Sequence, residues 1–189
     1  MLKVKTYLSA NKLYDDSTLL AKKIWDSGFN PNFIVALWRG GTPPGIIIHE
    51  FLRVKFRQNG LPDPYSTAIK TQSYSGLQSS GTVEVKGLEH VIDVINSEDK
   101  LLLVDDVWDS GITMESVLKI IKEKARKNCP DIKVATVYFK PERNKTTFTP
   151  DFYQEINNEW IVFPHELDGL SEEDILKKSP RTYSLLYSN

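Results

Sequence analysis

The chain has 189 residues, with 24 basic and 25 acidic side chains and a formal net charge of −1; 40% of its residues are hydrophobic and 26% charged, the balance of an ordinary globular protein. At about 150 residues per domain this makes one large domain, or one with a small appendage, long enough to bury a core without covalent staples. A nucleic-acid binder working by bulk electrostatics would carry a basic excess. The single cysteine, Cys129, excludes an intrachain disulfide framework and a cysteine-rich zinc site. No apolar run is long enough to span a membrane and the amino terminus has no secretory pattern, so a reducing, cytoplasmic setting is expected.

In chain order, residues 16 to 28 read as an amphipathic helix capped by Asp16 or Ser17 and stopped by Gly28. Asn30-Pro31 turns the chain into the apolar run Phe33 to Leu37, of strand length, followed at once by Arg39-Gly40-Gly41 and by a second helix from about 43 to 55. Residues 57 to 64 are turn chemistry. A strand is expected from Ser66 to Lys70, then a mobile surface loop from Gln72 to Ser80 that returns through a short strand near Val83 to Val85. Leu101 to Val104 is the clearest buried strand. A helix from about 113 to 127 follows, then a strand from Ile132 to Phe139, and the tail carries a short helical stretch from Glu172 to Lys178. Strands apolar on both faces and alternating with helices call for an α/β domain with a parallel sheet covered on each side. Ligands in such sheets sit beyond the carboxyl ends of the strands.

The segment Leu101 to Thr113 concentrates the unusual residues. A buried strand delivers Asp105 and Asp106, and Ser110, Gly111 and Thr113 surround the start of a helix, where free backbone N–H groups and hydroxyls suit an anion. Carboxylates would repel that anion, so Asp105 and Asp106 need sugar hydroxyls or a cation. A phosphorylated sugar fits this set, with Asp109 as a third acid. The plain alternative is a solvated strand end followed by a helix cap; the third acid and the Ser-Gly-x-Thr ending weigh against it. His49, His90 and His165 have no metal-ligand spacing.

Residues 101 to 113 resemble the phosphoribosyl pyrophosphate (PRPP) signature of type I phosphoribosyltransferases. Ala36 to Gly45 is similar to the pyrophosphate loop of the 6-oxopurine branch, Ser73-Tyr74 to its flexible-loop pair, Val134 to Pro141 to the strand carrying a purine-binding lysine, and Trp160 to Glu166 to the base-stacking segment of bacterial xanthine-guanine enzymes. The matches run in order from about 15 to 168. The resemblance implies a central, mainly parallel sheet flanked by helices, in a single domain over 1–189 with a core from about 15 to 140. A small base-binding hood would use 141–189 and the N-terminal segment. It implies transfer of 5-phosphoribosyl from PRPP to N9 of hypoxanthine, guanine or xanthine, with magnesium (Mg2+) as cofactor, in purine salvage.

By the same resemblance Asp105 and Asp106 hold the ribose hydroxyls, directly or through magnesium. Ser110, Gly111, Ile112 and Thr113 wrap the 5-phosphate, and Asp109 faces purine N7 as proton acceptor. Arg39 and Gly40 receive pyrophosphate beside a peptide, Trp38–Arg39, that can be cis. Ser73 and Tyr74 belong to a lid; Lys140 donates to the 6-oxo group, Trp160 stacks on the ring and Ile161 meets its position-2 edge. Glu166 offers an acid to magnesium, with Asp168 as competitor. A homodimer or homotetramer is expected, without nucleic-acid or membrane partners. The alternatives are a PRPP-sensing regulator of the same fold and a transferase for another base. The role of residues 57 to 65, and whether Trp38 packs inside or lines the site, stay open at this level.

Overall fold

In the computed structural model, which describes residues 5–73 and 83–188, the apolar run from Phe33 forms β2 (Phe33–Trp38) and that from Leu101 lies within β5 (Lys100–Trp108). With β3 (Tyr65–Ser73), β4 (Val83–Lys86), β6 (Asp131–Phe139) and β7 (Phe152–Ile156) they build a six-stranded sheet of order β4-β3-β2-β5-β6-β7. β4 runs antiparallel to β3 and the remaining neighbours are parallel, as the unbroken apolar strands require. α1 (Ala10–Asp26), α2 (Thr42–Gln58), α3 (Glu89–Ile92) and α4 (Ile112–Ala125) connect or flank the strands. Leu101 and Leu103 of β5 pack with Val35 and Leu37 of β2 and with Val117 and Ile121 of α4 in the main core. From β2 the chain moves outward through α2 to β3; from β5 it moves the other way through α4 to β6. The carboxyl ends of β2 and β5 therefore meet where the winding reverses, the place such sheets leave for a ligand.

Several boundaries differ from the sequence reading, each for a local reason. α1 begins at Ala10, because the Ser9 hydroxyl accepts the Lys12 N–H at 3.1 Å and caps the helix earlier than expected. Asp16 is instead a buried helix residue whose carboxylate accepts the Tyr138 hydroxyl, and burial followed by this carboxylate pushes that phenol well up from its ordinary value. α2 runs to Gln58, into what reads as turn chemistry. Arg53 Nε and Arg57 Nε both donate to Asp63, each at 2.9 Å, so the 57 to 65 segment folds back on its own helix. The guanidiniums of Arg57 and then Arg53 hold the Asp63 carboxyl down at about 2. β3 extends to Ser73; the lid expected around Tyr74 lies outside the described residues.

By contacts the chain divides into two compact units, Tyr14–Asn158 and Met1–Leu13 with Glu159–Asn189. β7 pairs with β6 and so is part of the larger unit. In the smaller unit β1 (Lys5–Tyr7) pairs in parallel with β8 (Trp160–Val162), and α5 (Glu172–Lys178) and α6 (Pro180–Tyr187) follow. Asp174 ties these pieces together. It takes Lys5 Nζ at 2.7 Å and the Tyr7 hydroxyl at 2.6 Å, and it closes a capping box with Ser171 at the start of α5.

These bonds, Lys5 first, hold the Asp174 carboxyl well below the usual carboxylate range, and the same carboxylate pushes the Tyr7 hydroxyl up to about 12. A carboxyl depressed on folding contributes stability that is complete above its unfolded value, about 4, and is lost as pH falls below it. A phenol raised on folding contributes stability that is complete below about pH 10 and is lost as pH rises further. Asp174→Asn is therefore expected to lower the melting temperature at pH 7 and to increase hydrogen exchange across β1 and α5. The difference from wild type should shrink on acidification from pH 5 towards 2; a difference independent of pH would contradict this account.

Candidate active site

The turn after β2 is built by two glycines that bring its backbone close to β5. A Cβ on Gly41 would strike the Val104 carbonyl of β5, and one on Gly40 would strike the Asp106 carboxylate. Gly41 N–H donates to the Leu37 carbonyl at 2.8 Å, and the Arg39 carbonyl accepts the Thr42 hydroxyl at 2.6 Å, which seals the turn onto the start of α2. The Trp38–Arg39 peptide is cis, in the position that the resemblance allows. Trp38 itself is 53% exposed and borders a cavity of about 310 Å³ between β2, β3 and α2, so it is not a core residue. The Arg39 side chain is exposed at the head of this turn.

β5 continues past the point where the sequence suggests it ends, so Asp105 and Asp106 sit inside the strand, and Asp105 pairs in register with Thr136 of β6. Successive strand side chains face opposite sides of a sheet. Asp106 accordingly lies against the Gly40 turn, whereas Asp105 borders a cavity of about 70 Å³ with Ser110, Gly111, Thr113 and Thr136 beneath the start of α4. Asp105 Oδ1 accepts the Asp106 N–H at 3.0 Å. Burial, and then the adjacent Asp106 carboxylate, push the Asp105 carboxyl well above its ordinary value.

Gly111 has φ +78°, a left-handed conformation that ends the loop and starts α4. A Cβ there would come within 2.6 Å of Trp108 Nε1 and 2.8 Å of Asn144 Oδ1 and Thr146 Oγ1. This packing shows a support that the sequence reading missed. Trp108 Nε1 donates to Asn144 Oδ1 at 3.1 Å and Lys145 N–H donates to the Ser110 carbonyl at 2.9 Å, so residues 144 to 146 back the loop. Ile112 N–H donates to the Ser110 hydroxyl at 3.4 Å. Backbone donors at the head of the 14-residue α4 and the Ser110 and Thr113 hydroxyls gather at the place where the sequence suggests an anion seat.

Asp109 and Lys140 meet directly. Lys140 Nζ donates to Asp109 Oδ2 at 3.2 Å, and Arg143 Nε donates to Asp109 Oδ1 at 2.6 Å. Lys140 is buried at the end of β6, and its backbone N–H donates to the Trp108 carbonyl at 2.9 Å, which fixes its distance from the loop. Arg143 escapes the sequence reading because a charged residue three positions past a strand looks like solvated surface; the 3-10 turn Pro141–Arg143 brings it round.

In the smaller unit Trp160 is 45% exposed and Ile161 is buried, both on β8. Glu166 Oε2 accepts the Phe163 N–H at 3.1 Å, closing its own turn, and Asp168 is exposed on the loop that follows. Ser73 is the last residue of β3. Among the described residues no group of three or more His, Cys, Asp or Glu side chains is arranged to hold a metal alone. Magnesium usually takes one or two carboxylates and completes its shell with water and substrate phosphate oxygens, so the hard oxygens of Asp105 and Asp106 beside the anion seat fit that ion.

The glycine contacts yield a test within the fold. Gly41→Ala sets a methyl against the backbone of two strands and is expected to lower stability by about 1–3 kcal/mol, the usual cost of overpacking. Gly40→Ala meets a side chain that can turn aside, so it should keep most of the stability and weaken binding of a sugar-phosphate ligand. Chemical denaturation and ligand titration of both variants check the contrast.

Residues 3–171 match the family model of the phosphoribosyl transferase domain. The chain is 28% identical over 180 residues to the xanthine-guanine phosphoribosyltransferase of Desulfotalea psychrophila, an alignment covering 94% of this chain and 96% of that one. A purine phosphoribosyltransferase from Pyrococcus horikoshii superposes with a TM-score of 0.65 at 27% identity, over 88% of this chain and 97% of the other. A hypothetical protein from Neisseria gonorrhoeae with bound ppGpp superposes with a TM-score of 0.71 at 25% identity, over 96% and 99%. A match across so much of the chain, on a sheet whose winding reverses at the anion seat, leaves one conclusion: the chain belongs to the phosphoribosyltransferase family.

Proposed function

We propose that the chain transfers the 5-phosphoribosyl group of PRPP to N9 of a 6-oxopurine and releases pyrophosphate, in purine salvage. The observation that carries this reading is the Lys140–Asp109 pair beside the anion seat, which joins a purine-reading donor and a proton acceptor in one contact. Xanthine-guanine and hypoxanthine-guanine relatives support the substrate class. The base-binding hood, formed by the carboxyl-terminal part of the chain with the amino-terminal segment, acts with the core as one catalytic domain.

Each residue has a physical part to play. Ser110, Gly111, Ile112 and Thr113 receive the 5-phosphate through N–H and hydroxyl donors. Asp105 and Asp106 orient the ribose hydroxyls, and Arg39 with the Gly40 amide receives the pyrophosphate. Magnesium, when bound on Asp105 and Asp106, would draw charge from the pyrophosphate as it leaves. The incoming purine exchanges partners with the resting pair. Lys140 turns from Asp109 to the 6-oxo group, and Asp109 Oδ2 then accepts the proton at N7, while Arg143 keeps hold of Oδ1. Trp160 stacks on the ring and the Ile161 backbone meets its position-2 edge; Ser73 and Tyr74 close over the reacting carbon, and Glu166 or Asp168 adds a water-linked acid. The setting is cytoplasmic. Exposed Ile46 and Val54 on α2 support assembly as a homodimer or homotetramer.

A second reading, a sensor of the same fold with little catalysis, draws on the Neisseria gonorrhoeae relative and its bound ppGpp. A steady-state assay with PRPP, magnesium and each of hypoxanthine, guanine, xanthine, adenine and uracil separates the two. Turnover of 6-oxopurines alone is expected; PRPP binding with no turnover of any base would overturn the enzyme reading. Asp109→Asn is expected to lower kcat by about 10²–10⁴, the usual range for a proton-transfer group. Lys140→Met should reduce kcat/KM for 6-oxopurines by at least about tenfold and narrow the preference over adenine. Arg143→Ala should cost less than either, since Arg143 aligns Asp109 and itself touches neither the migrating proton nor the base.

A further inference from the structure

Thr136 is completely buried in the middle of β6, and among the described residues its hydroxyl is one of the few buried side-chain atoms with no hydrogen-bond partner. Buried polar groups nearly always find partners, and an exception in a well-packed sheet calls for a reason. Packing does not supply one. Val134, Ala135 and Val137 around it are apolar, and valine has the same shape as threonine without the unsatisfied group.

Position supplies the reason. Thr136 stands in register with Asp105 on the neighbouring parallel strand, so the two side chains point to the same face of the sheet. Both border the 70 Å³ cavity whose other walls include Ser110, Gly111 and Thr113. Asp105 Oδ1 takes the Asp106 N–H, while an ionised carboxylate offers about four acceptor positions. A cavity of this size, polar on several sides, has room for at least one water. A carboxylate that has to keep two ribose hydroxyls in register gains from a fixed supporting donor, as metal-binding and catalytic ligands commonly do.

We propose that Thr136 is a positioning residue for the sugar-phosphate site: in the substrate-bound form its hydroxyl donates to Asp105, directly or through one water in this cavity, and holds that carboxylate toward the ribose. The inference rests on the proposed PRPP-dependent reaction, and it concerns a residue that makes no contact with the base.

The test compares Thr136→Val and Thr136→Ser with wild type, in kinetics, in PRPP binding by calorimetry with magnesium, and in thermal unfolding. For Thr136→Val the KM and Kd for PRPP are expected to rise about tenfold, the size of a lost hydrogen bond to a charged group, while KM for the purine stays within about twofold. Its melting temperature should be unchanged or higher, because an unsatisfied buried hydroxyl becomes a methyl. Thr136→Ser should restore PRPP affinity. A valine variant with wild-type PRPP affinity overturns the inference. So does one that melts lower, weakens both substrates equally and is not rescued by serine. If wild type binds PRPP but turns over no base, the reaction reading falls, and a tenfold weaker binding by Thr136→Val still upholds the positioning role. If wild type does not bind PRPP, both fall together.

Discussion

The close approach of the Arg39–Gly41 turn to β5 is the constraint on which the site depends. Side chains normally keep neighbouring loops apart; here the Gly41 backbone lies against the Val104 carbonyl and Gly40 against the Asp106 carboxylate. At Gly41 only glycine permits this, because the obstacle is backbone, and the sheet topology makes it useful. The winding reverses between β2 and β5, so two successive strand-to-helix loops open side by side without a third element between them. One loop brings Arg39 and the close-packed backbone of Gly40 and Gly41, the other brings carboxylates and a helix start. Neither alone would hold a ligand with anionic groups at both ends of a sugar.

Strand geometry then divides the labour of two adjacent acids. Neighbours in sequence, Asp105 and Asp106 face opposite sides of β5, one toward the start of α4 and the other toward the Gly40 turn. A hydroxylated ring lying across the strand end can therefore be approached from both sides by one short peptide. The cost is that Asp105 sits in a confined place beside a second carboxylate, which pushes its carboxyl up. In the proposed reaction, hydroxyl donors from a ribose or a divalent ion would relieve that cost.

Most of the architecture was legible in the sequence because it is written in apolar runs. The strands at 33, 101 and 132, and the helices between them, are set by burial, and burial is local information. What escaped was set by contacts distant in sequence. Asp16 looks like a helix cap and is a buried partner of Tyr138, 122 residues away. β7 has an ordinary composition and becomes a strand by pairing with β6. Among the candidate site residues, Asp105, Asp106, Asp109 and Gly111 carry a chemical signature that their spacing reveals, whereas Arg39, Gly40 and Lys140 enter through the family resemblance. Arg143, Asn144 and Thr136 enter by neither route, since an arginine in a polar turn, an asparagine in a loop and a threonine in a strand are all what those settings ordinarily contain.

The Lys140–Asp109 contact links recognition to chemistry in the proposed reaction. At rest each side chain satisfies the other, and separating the two without replacement leaves the buried Lys140 ammonium unpaired, while Asp109 keeps only Arg143. A 6-oxopurine replaces both partners at once. Its carbonyl accepts from the ammonium, and the proton at N7 meets the carboxylate. Adenine presents a donor at position 6; it cannot accept from Lys140, so the ammonium has no cause to leave Asp109, and Asp109 is not released to act. Discrimination between bases is then inseparable from freeing the proton acceptor, and a base that is read wrongly is also one that finds no proton acceptor. Arg143 makes this exchange practicable. By holding the other oxygen of Asp109 at 2.6 Å, it keeps the carboxylate aligned while its second partner changes.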